Sequence, residues 1–185
     1  MARRSVPPLT MELAASPFET KGRGAPFRPP ILPALALYLS GGAVWALSMA
    51  ASAFISLTLQ GRAETFHLQK ILAVYSAGGL GGWLLAVPLA RLFTRPRCIE
   101  TRFAAHFALL CLCTIGMTAL VFAMDYRLFY AQWHEPFGTR IWLYQFVFTL
   151  IGASYQFLVM GLGLYLPAGL PLLAGVSLWL SRSIR

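Results

Sequence analysis

Charge is what this sequence has least of. Of its 185 residues only 11% are Asp, Glu, Lys or Arg, and just six are acidic. A water-soluble domain commits about a quarter of its residues to charge in order to cover its surface. Here the apolar classes make up 58% of the chain, and the mean hydropathy is +0.66. The polar material cannot cover a water-facing surface, so most of the chain must face lipid. A soluble globular enzyme, a free nucleic-acid-binding domain and a disordered chain are excluded.

Reactive side chains are equally thin. The three cysteines, Cys98, Cys111 and Cys113, make an odd set with two inside an apolar run, so no disulfide framework is implied. No Gly-rich phosphate loop, nucleophile elbow or Cys-x-x-Cys occurs. No Asp, Glu, Lys or Arg falls near the middle of an apolar run. The embedded carboxylate that ion-coupled transport commonly uses is therefore missing. His106 is the one histidine inside a run, and a bis-histidine haem would need a second at the same depth. It is expected to pack rather than to ligate, and no metal or cofactor is implied. No internal repeat is visible.

What is present is a series of membrane-length apolar runs. They predict an all-α, polytopic integral membrane protein with four crossings and a fifth possible. The spans fall at about 31–59, 71–93, 103–124 and 141–165, followed by a Pro/Gly-broken apolar segment at 166–181. Residues 1–30, rich in proline, glycine and arginine, read as a basic, mostly disordered cytoplasmic tail. The run after it continues past Ala51-Ser52-Ala53 to Leu59, which reads as an uncleaved anchor rather than a secretory signal. The stretch 141–180 is too long for one helix across a bilayer, and Pro167-Ala168-Gly169-Leu170-Pro171 is where it should break. Either one piece crosses while the other lies flat or re-enters, or both cross; the first is preferred on charge.

Basic residues give the orientation. With the N-terminus inside, eleven of the 15 Lys and Arg lie on the cytoplasmic side and four outside. That split follows the positive-inside rule. Thirteen of the 15 are arginine, and with abundant alanine, glycine and proline this suggests a bacterial cytoplasmic (inner) membrane.

Two patterns point to contacts. Tyr75, Gly78, Gly79, Gly82 and Ala86 form a small-residue stripe on the second span. Gly42 and Ala46, with Ala50 and Ala53, offer a matching groove on the first. The stripe is expected to pack these two helices together, or alternatively to meet another subunit. Pro88 should release the carbonyl of Leu84. Further on, Tyr126, Phe129, Tyr130, Trp133 and Phe137 recur at helical spacing. They predict a short amphipathic helix over 125–137, capped by Asp125, lying in the outer headgroup layer with Arg127 turned toward water or phosphate.

The remaining polar chemistry collects on the outer face: Glu64, His67, Asp125, His134 and Glu135. Two imidazoles and three carboxylates could bind a metal or serve as acid and base, but no pair has ligand spacing. Solvated loop residues are the ordinary alternative. The leading expectation is a non-enzymatic accessory, scaffold or interaction subunit. Its partners would be the lipid bilayer and another membrane protein or a second copy of itself, not nucleic acid. Alternatives are a transporter subunit and a membrane enzyme working through the outer histidines and acids.

Overall fold

The computed structural model describes residues 31–64, 66–94 and 98–183, and the expected tail at 1–30 lies outside them. Among the described residues all regular structure is helical. Four helical segments are long and apolar enough to cross a membrane: Leu35–Leu59, Leu68–Phe93, Ile99–Trp133 and Arg140–Tyr165.

Helix α1 (Ile31–Leu59) and helix α2 (Leu68–Phe93) form an antiparallel pair, and α3 (Ile99–Tyr130) packs on α2 over most of its length. The small residues of α2 explain this closeness, but they divide between two neighbours. A Cβ on Gly82 would sit 2.5 Å from the Thr114 Cα, and one on Gly78 would come as close to that of Thr118. Both glycines therefore serve α3. Gly79 faces α1, where an added Cβ would lie 3.2 Å from the Cα of Ala46. Gly42 instead seats an indole, since its Cβ would meet Trp83 at 3.0 Å. The expected single groove between α1 and α2 is thus corrected to two seams on adjacent faces of α2. Side chains of one helix face alternate between two partners when that helix is central.

Aromatic and hydroxyl groups complete the core. Trp45 and Trp83 lie with ring centroids 6.5 Å apart. The Trp45 indole N–H donates to Thr114 Oγ1 at 3.1 Å, and that of Trp83 to the Tyr38 carbonyl at 3.0 Å. Pro88 does free the Leu84 carbonyl, and the Tyr38 hydroxyl donates to it at 2.7 Å. One partly buried carbonyl is thereby satisfied from the neighbouring helix.

Helix α3 does not stop at Asp125. It runs through to Tyr130 and ends in a 3₁₀ turn at Ala131–Trp133, so the separate amphipathic helix beginning at Asp125 is not present. Nothing between Leu120 and Tyr130 interrupts a helix, and Asp125 could cap a new one only after an interruption. The aromatic periodicity is real, but it decorates the end of α3. Tyr126 and Tyr130 have centroids 4.8 Å apart, and Tyr130 and Trp133 5.6 Å apart. Arg127, expected to face water, lies over the rings of Trp142 and Phe146 at 5.4 and 4.9 Å.

The C-terminal stretch turns at 166–168, beside the expected Pro167, but its regular α-helix already ends at Gln156 and Pro171 lies inside the next helix. Helix α4 (Arg140–Gln156) is capped by Thr139, whose hydroxyl accepts from the Trp142 N–H at 3.1 Å. It passes into a π-helical turn (Phe157–Gly161) and a 3₁₀ turn (Leu162–Tyr165), and α5 (Gly169–Ser183) follows. Arg140–Tyr165 is long and apolar enough to cross a membrane, and α5 is not among the helices that are. Trp142 and Phe146 meet Arg127, Phe157 meets Phe122, Tyr165 meets Thr118, and Leu173 shares a core with Leu110. Both pieces therefore run the same way along α3, antiparallel to it. With 15 residues, α5 is about 22 Å long, short of the ~30 Å hydrocarbon layer.

Candidate binding cavity at the helix break

The interruption between α4 and α5 is held by hydroxyls from the other helices. The hydroxyl of Ser52 donates to the Tyr165 carbonyl at 2.9 Å, and that of Ser56 to the Gly163 carbonyl at 3.2 Å. The Tyr75 hydroxyl donates to the Gly161 carbonyl. Thr118 Oγ1 and the Tyr165 hydroxyl are 2.7 Å apart. Each of these carbonyls belongs to the irregular π/3₁₀ stretch, where the regular helical partner is lost. Serine, threonine and tyrosine are therefore buried here for backbone satisfaction. Ser52 and Thr118 are fully buried.

Above the break, on the side of the α1–α2 loop, opens a cavity of about 460 Å³. Its inner wall is apolar, with Val74, Phe122, Phe157 and Leu164, and its rim carries Arg62, His67, Lys70 and Asp125. Helix α2 supplies Lys70 from its first turn, and the extension of α3 supplies Asp125. Their ion pair is 2.9 Å long, with side chains 55% and 37% exposed. At that exposure the pair contributes at most about 1 kcal/mol to folding. It joins the start of α2 to the extension of α3 at the cavity rim. A second, wholly apolar cavity of about 250 Å³ lies on the other side of the break, between Trp45, Met49, Leu110, Cys111 and Leu170.

The five polar residues expected on the outer face part company in three dimensions. His67 and Asp125 line the same cavity; Glu64, His134 and Glu135 do not. Glu64 lies exposed in the turn between α1 and α2. His134 and Glu135 sit in the connection to α4, where the Glu135 backbone N–H donates to Gln145 Oε1 at 3.0 Å. Among the described residues no group of three or more His, Cys, Asp and Glu side chains comes close enough to hold a metal. Lys70, Arg62, Tyr75 and Gln156 are cavity residues that the sequence pattern missed as a group. Only the cationic pair at 62 and 70, flanking His67, gave any signal.

His106 is buried, and its Nδ1–H donates to the Arg102 carbonyl at 2.7 Å, one turn back on its own helix. Its Nε2 and the Oγ of buried Ser177 have no partner among the described residues. Cys111 and Cys113 are free thiols, partly buried against the core. No protein-family model matches the chain, and neither curated proteins nor solved structures show significant similarity to it.

Proposed function

We propose that this chain is a four-crossing protein of a bacterial cytoplasmic membrane, with both ends in the cytoplasm. In this reading it acts as a non-enzymatic interaction subunit, presenting an uncovered helix to another membrane protein or to a second copy of itself. The observation that carries the reading is the unevenness of burial. The apolar windows of α1 and α2 are 44% buried within the chain, whereas that of α4 is 11% buried. Tyr144, Phe148, Ile151 and Tyr155 form an exposed stripe along α4. Lipid tails can cover the rings, but they offer nothing to a tyrosine hydroxyl, which a neighbouring helix can satisfy.

Purification in mild detergent tests this. A stoichiometric membrane partner or a defined homo-oligomer, lost when Tyr155 and Phe148 become leucine, supports the reading. A monodisperse single chain with no partner in several mild detergents defeats it.

A transporter subunit is the second reading, favoured by one feature: a cavity that ends on an interrupted helix, the common setting of a transported solute's site. Here the freed carbonyls are already bonded by Ser52, Ser56 and Tyr75, which leaves them less available to an ion. Solute uptake by the chain alone in vesicles would favour this second reading over the first.

A further inference from the structure

We infer that the cavity above the helix break binds an anionic phospholipid, its phosphate on the Arg62–Lys70 rim and one acyl chain along Val74, Phe122 and Phe157. The volume of about 460 Å³ falls within the roughly 300–1,000 Å³ span of small-molecule sites. Its polarity is graded in one direction. Charged groups occupy the rim, and the rest of the lining is mainly aromatic and aliphatic, with Gln156 and Tyr75 as its polar members. That gradient matches an amphiphile standing parallel to the helices, head outward.

The sign of the head follows from the rim. Arg62 and Lys70 supply basic groups and His67 adds a ring nitrogen, while Asp125 is the one carboxylate among the lining residues. By residue the lining holds two cations and one carboxylate. Arginine and lysine together bind phosphate oxygens through several charge-assisted hydrogen bonds. Two chains rather than one follow from the wall on the α4 side. Phe129 and Met160 line the cavity and are still 59% and 63% exposed. A cavity open sideways lets the second acyl chain remain in the bilayer. The inference rests on membrane insertion, and it holds for either orientation of the chain.

The full-length protein in detergent is titrated with short-chain phosphatidylglycerol, with phosphatidylcholine of the same chains and with lauric acid. Bound molecules are counted by native mass spectrometry. One phosphatidylglycerol should bind at least about fivefold more tightly than phosphatidylcholine, an advantage that shrinks in high salt. The double change Arg62→Gln and Lys70→Gln should abolish the preference, whereas Arg140→Gln, outside the cavity, should leave it unchanged. Should the double variant fail to fold, the salt dependence of the wild-type preference decides instead. Equal affinity for the two phospholipids, or a preference that survives both the double change and high salt, overturns the inference. So does lauric acid binding more tightly than phosphatidylglycerol, which would make the occupant a single-chain carboxylate. A protein that does not partition into membranes at all would defeat the proposed function itself.

Discussion

Replacing Gly82 by alanine adds one methyl group at the tightest seam of the bundle. Its Cβ would lie 2.5 Å from the Thr114 Cα and 2.8 Å from the Thr114 nitrogen. Both are backbone atoms, so no rotamer change relieves the contact, and α2 and α3 must separate by about an ångström. Overpacking of this kind typically costs 1–3 kcal/mol. Against it stands a gain of up to about 1 kcal/mol, because alanine is the better helix former. The net expectation is a loss of about 1–2 kcal/mol, or several degrees in Tm for a chain of this size. Separation would also strain the Trp45–Thr114 hydrogen bond of 3.1 Å.

Gly116 provides the control. It lies inside α3 with nothing within 4 Å of an added Cβ, so Gly116→Ala keeps the propensity gain without the clash. Thermal unfolding of both variants in one detergent, followed by circular dichroism, should move Tm in opposite directions. If Gly82→Ala is as stable as Gly116→Ala, the seam between α2 and α3 is not close-packed and the reasoning fails.

Three further outcomes can be checked. Tyr38→Phe should cost about 1 kcal/mol by stranding the Leu84 carbonyl; in a Pro88→Ala background, where the helical bond to that carbonyl is restored, the cost should fall by at least half in a double-mutant cycle. Arg127→Glu should destabilise by about 1–2 kcal/mol, because it removes the guanidinium from two aromatic faces; unchanged denaturation in detergent would contradict that stacking. Reporter fusions after residues 30, 66, 97, 132 and 185 of the sequence should read in, out, in, out, in. An outside signal at 185 would mean that the interrupted C-terminal stretch crosses twice.

The sequence alone determined the all-helical class of the molecule and the approximate place of each long helix. Hydrocarbon leaves no alternative to intrahelical backbone bonds, so an apolar run of sufficient length must be a helix wherever it packs. For this reason the first run matches α1 at Ile31–Leu59, and the break near Pro167 stands between Tyr165 and Gly169. Pro88 likewise announced a free carbonyl at Leu84, since a missing N–H is a local fact. Which group would satisfy that carbonyl was not local, and Tyr38 came from 46 positions away.

Tertiary structure decided everything that depends on which neighbour a face meets. Gly78 and Gly82 were legible as a close-approach stripe, but α3 rather than α1 claimed them, because α2 is central and shares its small residues between both sides. Asp125 has the chemistry of a cap and became half of an ion pair instead, since continuing α3 keeps its backbone bonds and brings the carboxylate to Lys70. The candidate cavity is the least local feature of all. Arg62, Lys70, Asp125 and Gln156 are scattered along the chain and meet only because an interrupted helix, held open by Ser52, Ser56 and Tyr75, ends beneath them.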